Sequence, residues 1–144
     1  MTLGEYRSNF SLTWHQFIAH HNVQPNQILE DVRYEKIIPA TRVQLSSKDE
    51  YFFFRDNELM LIYISDSALT QQLWAEFKEA GNAGMPAERL RSRAGKTSNQ
   101  NIFPEQGFTV SMHHDEVDFI EIYAPQSLDE YVANIYREPG LFKR

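Results

Sequence analysis

The chain has 144 residues, a net charge of −6 and no cysteine, and 42% of its residues are hydrophobic. A chain of this length fits one domain with an ordinary core, so we expect a single globular domain over residues 1–144. The missing cysteine excludes thiolate nucleophiles, cysteine-ligated zinc, iron–sulfur clusters and disulfide scaffolds. The negative charge argues against a nucleic-acid partner, because neutralising phosphates requires a basic face.

Two features of the sequence indicate a cytoplasmic protein without a membrane partner. The N-terminal segment carries Glu5 and Arg7 in place of the apolar run of a secretory signal. The longest strongly apolar window, from Leu59 to Ile64, is much too short to span a bilayer.

The N-terminal third predicts two helices. The segment from Leu12 to His21 has apolar residues at helical spacing, and Thr13 with Gln16 can form a capping box. Asn26 can cap a second helix that ends before Pro39. The apolar face of this second helix is formed by Ile28, Leu29 and Val32.

A hairpin and a third helix follow. Thr41 to Leu45 is predicted to be a strand, and Tyr51 to Phe54 and Leu59 to Ser65 form a hairpin around a four-residue loop. The Asp-Asn pair in this loop tolerates a left-handed backbone. The helix that starts at Ser67 ends at Gly81, which suits a left-handed C-terminal position.

The segment from residue 81 to residue 107 differs from its surroundings. It contains four of the six glycines and few apolar residues, so we expect a long polar loop. Order returns with strands at Phe108 to Met112 and Val117 to Tyr123, joined by a turn at His113 to Glu116. A capping box that begins at Ser127 opens the last helix.

The two halves of the chain show the same order of parts. The hairpin around Phe54 to Leu59 aligns with that around Met112 to Val117, and a helix follows each. We interpret this as a pseudo-repeat of about residues 41–80 and 97–138, the alternative being that any two hairpin-plus-helix units look alike. The expected fold class is α+β, an antiparallel sheet of about five to six strands with amphipathic helices packed on it.

A basic stripe is the strongest local deviation in this acidic chain. Arg89, Arg91 and Arg93 project to one side if the segment is extended, and Lys96 follows them. Guanidinium groups in such a row suit bidentate contacts with carboxylates or phosphates. The alternative is that these arginines pair with the acidic surplus within the chain.

Acidic residues cluster at and beyond the second hairpin turn. They are Asp115, Glu116, Asp118 and Glu121. An acidic surface of this kind can steer a protein partner electrostatically. The neighbouring His113 and His114 add metal-ligating residue types, but consecutive residues of a turn point in divergent directions. We therefore expect no metal site and no cofactor.

The run Tyr51-Phe52-Phe53-Phe54 is the best hint of an interface in the sequence. Four consecutive aromatic side chains on one strand cannot all face one core. Two alternate residues must be covered by helices or another chain, or stay exposed.

No catalytic motif appears, so binding is the leading functional hypothesis. A small, acidic, cysteine-free chain with aromatic and charged surface features is similar to bacterial immunity proteins, a resemblance of class and not of sequence. It implies a non-catalytic module that binds one specific protein, through the acidic residues or the arginine stripe. Two alternatives stay open. One is a small-ligand binding protein or enzyme that holds an anion under the 81–107 loop. The other is a structural homo-oligomer, for example a homodimer, paired through an edge strand or the aromatic run.

Overall fold

The computed structural model describes residues 1–81 and 84–140, which form one eight-stranded antiparallel sheet with four α-helices. The strands are β1 Ile28–Tyr34, β2 Ile37–Val43, β3 Glu50–Arg55, β4 Glu58–Ile64, β5 Glu88–Arg91, β6 Asn99–Phe103, β7 Phe108–His113 and β8 Glu116–Ile122. The helices are α1 Leu3–Ser8, α2 Trp14–His20, α3 Ser67–Glu79 and α4 Leu128–Asn134. The α+β class is confirmed, but the sheet has eight strands and not five to six. Within these residues no helix is long and apolar enough to cross a membrane.

The strand order is β1-β2-β3-β4-β8-β7-β6-β5, so each half is a four-stranded meander followed by a helix. The two halves meet where β4 pairs with β8, and Tyr63 lies opposite Glu121 there. The register of β3–β4 shifts at Phe54, and that of β7–β8 shifts at Met112, the aligned position. The two hairpins therefore share their pairing geometry as well as their order.

The predicted second helix is wrong, because residues 28–34 form β1. Asp31 and Glu35 adopt left-handed backbone conformations with φ of 54° and 52°. The pairing of β1 with β2 shifts register on either side of Val32. These irregularities disturb the alternation expected of a strand, and the resulting spacing of apolar residues imitates a helical face.

The predicted 81–107 loop is also wrong, because this segment contains β5 and β6. The Asn99-Gln100-Asn101 run has low intrinsic preference for a strand. Its strand conformation comes from pairing, since β6 lies between β5 and β7. Gln100 and Ile102 are buried at alternate positions of this strand.

Several local signals are confirmed. Capping boxes begin at Thr13 and Ser127 and open α2 and α4. Helix α3 starts at Ser67, and Gly81 follows its end with φ of 77°. Asp56 and Asn57 both have positive φ, and they form a turn of two residues, shorter than the predicted four. Helix α1, which was not predicted, precedes these elements, and a capping box of Thr2 and Glu5 opens it.

Both faces of the sheet are packed, and we call them the first and second face. Phe17, Phe52 and Phe77 belong to the core on the first face, which contains residues from α1, α2 and α3. The second face contains Tyr34 from the end of β1 and Tyr131 from α4. A hydrogen bond joins the turn between β1 and β2 to the end of α4: the Lys36 amide donates to the Ile135 carbonyl at 3.2 Å. Part of the second face is thus covered by this turn and α4.

Candidate functional site

A fully buried carboxylate lies on the second face, at the centre of the sheet. Glu121 in β8 is 0% exposed and accepts hydrogen bonds from the hydroxyls of Tyr34 and Tyr131. Gln100 Nε2 in turn donates to the Tyr131 hydroxyl at 3.1 Å. Burial raises the pKa of Glu121, against the opposing effects of the Arg93 charge and the tyrosine hydrogen bonds. Because the carboxylate is enclosed, it is not accessible to a substrate.

Arg93 lies above this carboxylate, packed among aromatic rings. Its guanidinium carbon is 4.3 Å from the centroid of the Phe119 ring and 4.9 Å from that of Tyr34. It donates to the Tyr34 hydroxyl at 2.9 Å, and its Nε is 3.4 Å from Glu35 Oε1. Burial acts to lower the pKa of Arg93, but the charges of Tyr34, Glu121 and Glu35 raise it. The side chain remains 30% exposed, so part of this permanently charged group faces solvent.

Four half-buried residues continue this packing outward, and we call them the tyrosine–arginine surface. They are Arg42, Tyr51, Tyr63 and Arg93. Tyr51 and Tyr63 are directly paired on β3 and β4, with rings 6.3 Å apart and inclined by 13°. Arg42 lies 4.6 Å from the Tyr51 ring centroid, and Arg93 lies 5.4 Å from that of Tyr63. Among the described residues, no helix side chain makes a ring contact with either tyrosine.

Arg42 is the unusual member of this surface. Its Nε is buried without a hydrogen-bond acceptor among the residues described. Within the same residues the Arg42 side chain makes no ion pair, and its guanidinium group stacks on the Tyr51 ring. The nearby Asp49 instead accepts a 3.1 Å hydrogen bond from the Tyr51 hydroxyl. The buried Nε is a cost to the fold of about 1–3 kcal/mol and is not itself accessible. The half-buried guanidinium group has no carboxylate partner among the described residues, so its solvent-facing part is suited to an external acceptor.

The predicted arginine stripe is interrupted. Arg89 and Arg91 lie on the edge strand β5, which ends at Arg91, whereas Arg93 turns over the second face. Arg89 Nε donates to Asn101 at 2.9 Å, and Arg91 forms a 2.9 Å ion pair with Glu138. Lys96 is exposed in the turn between β5 and β6. Arg91 and Arg93 both pair with acids of the chain, as the alternative interpretation expected.

The predicted acidic surface is divided in the same way. Asp115 and Glu116 are exposed at the turn between β7 and β8. Asp118 is half-buried and accepts a 2.9 Å hydrogen bond from Ser111. Glu121 is fully buried, because strand alternation along β8 turns it toward the second face. The four residues therefore do not form one surface.

The aromatic run of β3 is distributed between the two faces. Phe52 and Phe54 are buried on the first face, and Phe53 is buried on the second, 4.9 Å from the Tyr34 ring. Tyr51 alone stays half-exposed. Three of the four rings are thus covered within the chain.

Sequence reasoning identified Arg93 and Tyr51 but missed Arg42, Tyr63 and Tyr34. Tyr63 falls in a predicted strand that is apolar on both faces. Such a pattern predicts burial on both sides, so it does not indicate that Tyr63 lies at the surface. Arg42 reaches Tyr51 only because β2 and β3 pair as they do. Tyr34 was assigned to the helix that is in fact β1. In the part of the chain that the structure describes, no group of three or more His, Asp or Glu side chains could hold a metal ion.

Comparison of the chain with protein-family models, with curated proteins and with solved structures found no match. The function must therefore be argued from the geometry of the chain itself.

Proposed function

We propose that this chain is a non-catalytic protein-binding module of the cytoplasm, comparable to an immunity protein that neutralises a partner toxin. It presents the tyrosine–arginine surface to an acidic segment of one specific partner protein. The observation that supports this proposal is the stacked pair of half-exposed Tyr51 and Tyr63 beside Arg42. Arg42 lies over the Tyr51 ring and has no carboxylate partner among the described residues.

The composition of this surface matches that of binding hot spots. Tyrosine and arginine are enriched among interface residues whose truncation costs most of the binding energy. Their rings and guanidinium groups supply a large contact area while a polar tip keeps each side chain soluble. Tyr63 is already held by Tyr34 and Phe119, with ring centroids 5.5 Å and 5.3 Å away. A partner therefore meets a surface that is ordered before binding, which lowers the entropic cost.

The charge of the surface favours an acidic segment of a protein. Arg42 is a half-buried cation that forms no ion pair within the described residues, and a carboxylate is the acceptor that best matches a guanidinium group. Single-stranded nucleic acid could also stack on tyrosines, but it requires a basic groove that follows several phosphates. This surface has two arginines, one of them paired with Glu35, and the chain carries a charge of −6. A protein partner is the better match.

The geometry gives less support to the two alternatives. An edge-paired homodimer needs an accessible edge, but β1 carries two register shifts and β5 has only four residues, with Arg89 and Arg91 on it. Such edges resist pairing with another chain. A ligand lid formed by the 81–107 segment conflicts with the structure, because β5 and β6 of this segment are strands of the sheet.

Selection from a displayed library of protein fragments of the source genome tests the proposal, with calorimetry of the enriched fragment. Arg42→Gln and Tyr63→Ala should each weaken binding by about tenfold or more, as expected for hot-spot residues. Arg89→Gln is the matched control, since this exposed arginine lies outside the surface, and it should leave affinity unchanged. Circular dichroism confirms that each variant folds. The proposal fails if no fragment is enriched, or if binding is insensitive to Arg42 and Tyr63.

A further inference from the structure

A cleft on another part of the molecule has the features of a small-ligand site. It has a volume of about 410 Å³, and its lining residues are Arg7, Phe10, Gln106, Tyr123, Ala124 and Pro125. It shares no residue with the tyrosine–arginine surface. Its volume lies within the roughly 300–1,000 Å³ that is usual for sites of small molecules.

The cleft contains a cation in a largely apolar setting. Arg7, at the end of α1, is half-buried, and burial lowers its pKa. Its guanidinium donates to the Gln106 carbonyl at 2.9 Å. Among the described residues Arg7 forms no ion pair with an acid. A desolvated arginine with a neutral partner retains donors for an anion, and the planar guanidinium fits a carboxylate.

The walls of the cleft are fixed by backbone contacts. Gly107 has φ of 63°, and a Cβ at this position would lie 2.0 Å from the Tyr123 carbonyl oxygen. The Tyr123 amide donates to the Gly107 carbonyl at 3.0 Å, and the Gln126 amide donates to the Pro104 carbonyl at 2.9 Å. These bonds hold the connection between β8 and α4 against the segment that contains Gln106. The site is therefore formed before a ligand binds, which favours affinity.

We propose that this cleft binds the carboxylate of a small aromatic or branched aliphatic acid. The carboxylate pairs with the guanidinium of Arg7, and the apolar body of the acid packs against Phe10 and Pro125. This inference is independent of the proposed protein partner, because a different part of the chain carries it.

Nuclear magnetic resonance titration of the ¹⁵N-labelled protein with phenylacetate, and with its uncharged analogue phenylacetamide, tests this site. Phenylacetate should shift the amide resonances of Gln106 and Ala124, and phenylacetamide should bind about tenfold or more weakly, because it lacks the charge. Arg7→Gln should reduce phenylacetate affinity by a similar factor. Arg89→Gln is the matched arginine control and should leave that affinity unchanged.

A second variant keeps the test decisive if Arg7→Gln does not fold. Ala124→Trp fills the cleft without removing a charge, and it should abolish the phenylacetate shifts. The inference is overturned if phenylacetate and phenylacetamide bind equally, if Ala124→Trp binds phenylacetate as the unmodified chain does, or if no resonance near the cleft responds.

Discussion

Replacing Glu121 tests the buried network beneath the tyrosine–arginine surface. Glu121→Ala removes the acceptor of the Tyr34 and Tyr131 hydroxyls and leaves the Arg93 charge less compensated. Removing one partner of a buried charged network costs about 3–5 kcal/mol in the free energy of unfolding. Glu121→Gln keeps the shape and one acceptor oxygen, so it should cost only about 1 kcal/mol at low pH, where the carboxyl is protonated.

The sharper prediction concerns how the stability difference between the unmodified chain and Glu121→Gln changes with pH. Burial raises the pKa of Glu121 above its ordinary value of 4.5, so the folded chain keeps this proton to a higher pH than the unfolded chain. The stability linked to this proton is present at low pH and is lost as the pH rises from 4.5 through the raised folded value. Glutamine cannot titrate, so the cost of Glu121→Gln should shrink as the pH rises through this window.

Urea unfolding at several pH values, followed by the fluorescence of Trp14 and Trp74, measures these differences. Glu116→Gln is the matched control, because Glu116 lies on the same strand but is exposed, and its effect should be small throughout. A cost of Glu121→Gln that grows with pH would refute the reasoning. It would show that Arg93 and the tyrosines stabilise the carboxylate more than burial destabilises it.

Two further predictions concern stability elsewhere in the chain. Gly107→Ala should cost about 3 kcal/mol or more, because a side chain at this left-handed position meets the Tyr123 carbonyl. Gly140→Ala, where no atom lies within 4 Å of the added Cβ, should change the melting temperature little, and equal effects of the two would contradict the clash. Burial, with the charge of His20, lowers the pKa of His21, so the stability from its neutral ring is present above about pH 6.5 and is lost as the pH falls. His21→Gln should therefore remove part of the acid-induced loss seen in thermal melts between about pH 7 and pH 5, and an unchanged slope would contradict this.

The elements that sequence predicted correctly are those with local causes. Each of these signals depends on a few consecutive residues. They are the capping boxes at Thr13 and Ser127 and the left-handed pair Asp56 and Asn57. Strands β1, β5 and β6 depend instead on pairing with a neighbouring strand, which no short run of residues within them encodes. Apolar spacing around Val32 imitates a helix, and the Asn99–Asn101 run has no strand preference of its own.

The candidate site follows the same division. Arg93 could be noticed as a basic residue in an acidic chain, but its position over the Phe119 ring depends on where β5 ends. Arg42 joins Tyr51 through the register of β2 and β3, which no local pattern encodes. Glutamate is usually a surface residue, so the sequence gives no sign that Glu121 is buried. Its burial follows from the direction of its side chain in β8, which places it beneath Tyr34.

Hydroxyl-radical footprinting of the complex with the selected partner tests the central claim most directly, because it reports the exposure of individual side chains. Tyr51 and Tyr63 should be oxidised several-fold less in the complex than in the free chain. Met85, which is 86% exposed and lies outside the surface, should be oxidised equally in both. Protection confined to His113 and His114, beside the acidic turn, with unchanged Tyr51 and Tyr63, would contradict the assignment of the tyrosine–arginine surface as the binding site.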